Sequence, residues 1–120
     1  MAEALELVAI SDKDIDAIAD CFTQDLLQAV NGQLVFDKRR HIGDVKQILL
    51  VFEAFYIRTG SYGSLTVNLT ASTDYHCIDL IPSGGGDGIL NISWGANANF
   101  AQKAQEIFES YGYKRQGDDY

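Results

Sequence analysis

Val45-Lys46-Gln47-Ile48-Leu49-Leu50-Val51-Phe52-Glu53-Ala54-Phe55-Tyr56-Ile57-Arg58 is the most apolar stretch of the chain, and its reading as helix or strand decides the fold. Its length and its enrichment in β-branched and aromatic residues favour a long strand. One parity carries Val45, Leu49, Val51, Phe55 and Ile57, the other Ile48, Leu50, Phe52, Ala54 and Tyr56. A strand with a single buried face alternates apolar and polar residues, so both faces of this one ask for cover.

Downstream, Thr59 to Gly63 reads as a turn, and Ser64 to Thr70 alternates cleanly, with Leu65, Val67 and Leu69 against Thr66, Asn68 and Thr70. That strand has one wet face. A polar turn at Ser72, Thr73 and Asp74 precedes a strand over residues 75–82 that closes at Pro82, and residues 89–94 read as a further strand after a glycine-rich loop. Asn97 or Asn99 can cap a last helix whose apolar stripe is Phe100, Ala104, Ile107, Phe108 and Tyr111, with Gly112 as its stop. The tail from Tyr113 to Tyr120 offers no period and is expected to fray.

Upstream, residues 4–10 suit a short first strand, and Ser11 with Asp14 marks a helix start. Ile15, Ile18, Phe22, Leu26 and Ala29 recur at intervals of three and four, and Asn31-Gly32 is expected to end that helix with a left-handed glycine. Leu34 to Phe36 reads as a short strand, and Lys38-Arg39-Arg40-His41 as a solvated loop before the Gly43-Asp44 break. The order is β-α-β-β-β-β-β-α, which predicts one α+β domain over residues 1–120, with an antiparallel sheet of five or six strands and both helices on one face.

Composition narrows the function classes. Of 120 residues 47% are apolar and 22% charged, which is ordinary globular usage and enough for a self-sufficient core. Seventeen acidic against nine basic residues give a net charge of -8 at pH 7, which disfavours nucleic acid and anionic membranes as partners. No run approaches the roughly 20 apolar residues of a membrane span, and no basic segment leads into an apolar signal core, so a cytoplasmic location is expected. Cys21 and Cys77 sit in apolar-patterned segments and read as reduced, buried thiols.

Few residues invite chemistry. His76 and Cys77 are adjacent in a strand, so their side chains point to opposite faces and cannot form a thiol-base pair without a bulge. Two histidines without metal-ligand spacing predict no metal and no cofactor. Ser83-Gly84-Gly85-Gly86-Asp87-Gly88 is the most distinctive local feature. Consecutive glycines leave backbone amides open to an anionic group, although the lysine and following helix of a phosphate loop are missing. A small anionic ligand held there, with Glu53 or Arg58 nearby, is one functional expectation.

Val51 to Gly60, then Ser64 to Leu69, then Ile81-Pro82-Ser83-Gly84-Gly85, resembles a family of small bacterial proteins of unknown function. In that pattern an aromatic strand carrying Glu leads through a glycine turn to a Ser-Leu strand and later to a Ser-Gly-Gly loop. The resemblance spans about residues 45–110 and implies no activity. Ala54 stands where the pattern has Arg.

The favoured functional expectation is a noncatalytic binding or assembly module that self-associates. Two helices cover one face of the sheet, and an open second face would leave an apolar patch that monomers rarely tolerate. A twofold homodimer is the commonest remedy. Ile48, Leu50 or Phe52, or the opposite-parity Val51 and Phe55, are the expected interface residues.

Overall fold

The computed structural model describes residues 4–56, 60–84 and 90–116. Strand β1 (Leu5–Ile10) is followed by helix α1 (Ile15–Ala29), then β2 (Gly32–Ile42), β3 (Val45–Tyr56), β4 (Ser61–Ala71), β5 (Tyr75–Gly84), helix α2 (Leu90–Ser110) and β6 (Lys114–Arg115). The six strands form one sheet in the order β2-β3-β4-β5-β1-β6, and every pairing is antiparallel. The fold is therefore α+β with two helices and a six-stranded antiparallel sheet, as the sequence pattern predicts.

Residues 45–58 owe their reading as a strand to residue type, and over Val45–Tyr56 the register bears it out. Phe52 pairs with Leu65, Leu50 with Val67 and Ile48 with Leu69, and these continue to Pro82, Leu80 and Ile78 of β5. This parity lies beneath the helices, with Ile48, Leu50, Phe52, Leu65, Val67, Leu69, Ile78 and Leu80 fully buried. From α1 come Ile15, Ile18, Ala19, Phe22 and Leu26, and from α2 come Phe100, Ala104 and Phe108, all in the same core. Phe22 stacks on Phe108 with ring centres 4.1 Å apart and meets Phe52 edge-on at 5.7 Å, which joins both helices to the middle of the sheet. The thinnest dimension of the molecule is 23 Å, enough for one sheet and one helical layer.

Several local readings are corrected. Asp14 rather than Ser11 caps α1, accepting from the Asp16 amide at 3.1 Å, while Ser11 accepts from the Lys13 amide before the helix begins. Gly32 is not a left-handed helix stop but the first residue of β2, where an added Cβ would lie 2.5 Å from the Glu53 carbonyl oxygen. The basic run is not a loop. Gly43-Asp44 makes a two-residue turn with Ile42 opposite Val45, so β2 must run back along the whole of β3, with a bulge between Leu34 and Phe36.

Residues 90–94 belong to α2 and not to a strand. Beside β5 the sheet position is taken by β1, so the chain leaves the sheet there and crosses over as a helix. Tyr113 to Gln116 return to the sheet. Gly112, at φ +103°, donates to Glu109 and Tyr113 donates to Phe108, the paired bonds of a Schellman cap, and the Tyr113 ring meets the Phe108 ring at 5.6 Å. Tyr113 is 3% exposed, and it delivers Lys114 and Arg115 to the outer edge of β1.

At the other edge of the helical layer, acids of α1 grip the β2-β3 hairpin. Arg39 donates to Asp16 at 3.0 Å, Asp20 at 2.8 Å and Asp37 at 3.0 Å, and Lys46 also reaches Asp16. The Lys46 bond, followed by Arg39, holds the Asp16 carboxyl below its ordinary value.

Two predictions follow from these contacts. Gly32→Ala pushes β2 off β3 at the Glu53 carbonyl and is expected to cost about 1–3 kcal/mol in urea denaturation. The second concerns His76, which is 1% exposed and whose Nδ1 lies 2.7 Å from the Tyr113 hydroxyl. Burial depresses its pKa, against a smaller opposing pull from the Lys13 backbone and Asp12. The unfolded chain takes up the proton at about pH 6.5 and the folded chain only lower. Stability supplied by neutral His76 is therefore complete above about pH 6.5 and lost as pH falls through the folded value. Melting temperatures between pH 7.5 and 5 are expected to drop more steeply for the wild type than for His76→Gln.

Candidate functional site

The parity opposite the core is the open face of the sheet. The register arranges it in rows across the strands. Gln33, Glu53, Ser64 and Ser83 form one row, Phe36, Val51, Thr66 and Ile81 the next, and Lys38, Leu49, Asn68, Asp79 and Glu6 a third. A fourth runs Arg40, Gln47, Thr70, Cys77, Val8 and Lys114.

Large apolar groups left in water concentrate here. Phe36, Phe55, Ile81, Tyr62, Tyr75, Ile42, Val45 and Ile10 are exposed on this face, and the ninth exposed large apolar residue among the described ones, Val35, sits at the β2 bulge. Phe55 and Tyr62 also touch each other, with ring centres 4.9 Å apart. Across the four strands β2 to β5 the charges differ from side to side. Lys38 and Arg40 flank the face on β2 and Asp79 lies on β5, with Glu6 beyond it on β1, while Glu53 on β3 and Lys114 on β6 add one charge of the opposite sign to each side. Arg39, between the two β2 cations, points the other way, into the acids of α1.

Of the interface residues expected from sequence, Ile48, Leu50 and Phe52 carry no exposed surface, because α1 and α2 both pack on their parity. Val51 is half-buried and Phe55 is 40% exposed, both on the open face. Among the ligand residues, Glu53 and Ser83 are exposed in one row, and the Ser64 and Ser83 hydroxyls are 2.7 Å apart. Gly84 ends β5 opposite Gly63. Arg58, Gly85, Gly86 and Asp87 lie outside the described residues.

Sequence reading missed a trio assembled from two strands. Glu6, Cys77 and Asp79 bring one ligand atom each within 4.8 Å of one another. The Cys77 thiol donates to Glu6 at 2.7 Å, and Asn68 donates to Asp79 at 3.3 Å. Burial, then the Glu6 bond and the negative charges of Glu6 and Asp79, push the thiol up to about 12, so a metal ion there would first have to displace the thiol proton. The expectation of two buried thiols is corrected at the same time: Cys21 is exposed, outside the buried stripe of α1, and Cys77 is half-buried on the open face of β5. His76 and Cys77 lie on opposite faces of β5, the histidine in the core.

With its thiolate disfavoured, Cys77 is expected to react with iodoacetamide at pH 8 many-fold more slowly than Cys21, as resolved by peptide mass spectrometry after timed labelling.

No helix among the described residues is long and apolar enough to cross a membrane. No curated protein and no solved structure matches the chain. A family model does match, over residues 1–112, and the chain belongs to that family, a family of unknown function designated DUF6054.

Proposed function

We propose that this chain is a noncatalytic assembly module that binds a second copy of itself through the open face of its sheet. The observation that carries the reading is the segregation of exposed apolar groups. Eight of the nine large ones among the described residues share that face, while the helical side buries its own. Apolar surface gains about 25 cal/mol for each Å² removed from water, so a face of this composition favours contact with another surface. The protomer meanwhile keeps a complete core of its own, which suits a unit that folds first and assembles afterwards.

A second reading, a small-molecule or anion-binding protein, draws on the Ser64 and Ser83 hydroxyl pair where β5 enters the glycine-rich segment. Glu53, exposed in the same row, opposes an anion at that point, which makes the assembly reading the stronger. A thermal-shift screen over phosphates, nucleotides and carboxylates tests this second reading, with a rise in melting temperature as its support.

Light scattering from about 1 to 100 μM tests the first. The expected mass is twice the 13.2 kDa of the chain, falling toward one chain on dilution. Phe36→Ser and Ile81→Ser, at positions already 46% and 42% exposed, are expected to shift the midpoint to at least tenfold higher concentration with melting temperatures of the dilute protein little changed. A mass of one chain at every concentration rejects the reading.

A further inference from the structure

The open face carries more than apolar area. Its charges have a direction, and that direction selects how two copies can meet. We infer that the second copy docks about a twofold axis running parallel to the strands between β3 and β4, which sets Lys38 of each copy against Asp79 of the other.

Two sheets stacked face to face keep their strands within about 30° of each other. In this aligned geometry the twofold axis, lying midway between the sheets, can run either across the strands or along them. An axis across the strands sets β2 over β2 and β5 over β5. Lys38 and Arg40 then cover the same basic flank of the second copy, and Asp79 and Glu6 cover the same acidic flank. Like charges brought together at a contact cost affinity on both flanks at once.

An axis along the strands between β3 and β4 exchanges β2 with β5 and β3 with β4, since those four strands are consecutive in the sheet. Each row then meets its own reverse. In the third row Lys38 falls on Asp79, with Leu49 on Asn68. The second row brings Phe36 onto Ile81 and Val51 onto Thr66. The first sets the Glu53 carboxylate on the Ser64 hydroxyl, a donor it can accept from, and beyond it the Phe55 and Tyr62 pair meets its own copy. Arg40 lands on Cys77, beside the Glu6 carboxylate that the thiol already contacts. None of these pairings sets like charges together.

The extent is adequate. Four strands spaced about 4.8 Å and roughly ten residues rising about 3.4 Å each give a plan area on the order of 600 Å². Side-chain relief raises the accessible area of such a patch toward the roughly 800 Å² per partner of a standard interface. Asp79 already takes a bond from Asn68, which fixes the carboxylate on this face, and the Lys38 side chain is exposed, outside the Arg39 and Lys46 ion pairs with Asp16, Asp20 and Asp37.

The inference rests on the assembly reading, and its test separates the two. Phe36→Cys and Ile81→Cys are made on separate chains, each with Cys21→Ser and Cys77→Ser, and treated with a short bis-maleimide at a concentration where both variants, like the parent, are dimeric by light scattering. The mixture of the two chains is expected to give a covalent dimer at least tenfold faster than either chain alone, because facing sheets lie about 10 Å apart. Cross-linking of the Phe36→Cys chain with itself at the rate of the mixture overturns the axis in favour of β2 on β2. A dimeric parent with no preference for the mixture overturns the register and leaves assembly standing, and a monomeric parent overturns both. The charge pair supplies an independent arm. Lys38→Glu and Asp79→Lys are each expected to raise the dimer Kd at least tenfold, and the double variant to restore it to within about threefold of the wild type. Single variants that weaken the dimer without restoration in the double, while each remains folded by circular dichroism, likewise overturn the Lys38-Asp79 pairing.

Discussion

Phe22 sits where three layers of constraint meet. Its ring stacks on Phe108 of α2, stands edge-on to Phe52 of β3, and is wholly buried. Aromatic pairs of this kind add about 0.5–1.5 kcal/mol beyond the area they bury. The larger consequence is geometric, because one side chain requires α1 and α2 to lie side by side over the centre of β3. Both helices are thereby committed to one parity of the sheet, and the other parity is left to water or to a partner. The Schellman cap after α2 extends the same constraint, since Tyr113 packs against Phe108 on one side and bonds His76 on the other.

How far the sequence could be read follows from the range of the forces involved. The apolar intervals of α1 and the two-parity pattern of residues 45–58 are local, and each predicts its element. The length of β2 is not local. Lys38 to His41 look like a loop until Gly43-Asp44 is taken as a two-residue turn, after which the register of β3 alone dictates that they pair. Residues 89–94 alternate like a strand, but the place such a strand would take beside β5 belongs to β1, and no signal near residue 90 announces that. The return of residues 113–116 to the sheet was legible in principle. Gly112 followed by Tyr113, with Phe108 five residues before it, is the sequence signature of the cap that turns the chain back.

The candidate site was less legible for the same reason. That the two parities of β3 both need cover is visible in the order of residues, and so is the wet parity of β4. Which parity the helices take is not, since it depends on Phe22 finding Phe52. Glu6 and Cys77 are 71 residues apart and meet only because β1 inserts next to β5. The basic run shows the limit most clearly. Its four residues are plain in the sequence, yet their alternation divides them, with Arg39 drawn into the acids of α1 and Lys38 and Arg40 turned to the open face. One of the four, Arg39, is thus tied to the helical side, and the run does not form one continuous basic surface.

The chemistry of the open face also bears on the kind of assembly it can support. Obligate dimers resemble a core cut in half, whereas partners that associate and separate meet through surfaces about as apolar as the rest of the molecule. Here β4 lays Ser64, Thr66, Asn68 and Thr70 through the middle of the face, between the apolar groups of β2, β3 and β5. Those hydroxyls and amides are content in water, so the face can stand open without driving aggregation. They also need partners once covered, so a register that leaves them unmatched forfeits much of the apolar gain. In the proposed assembly, a polar stripe flanked by apolar rows and opposite charges would therefore favour association that is reversible and confined to few geometries, in keeping with a protomer that has its own complete core.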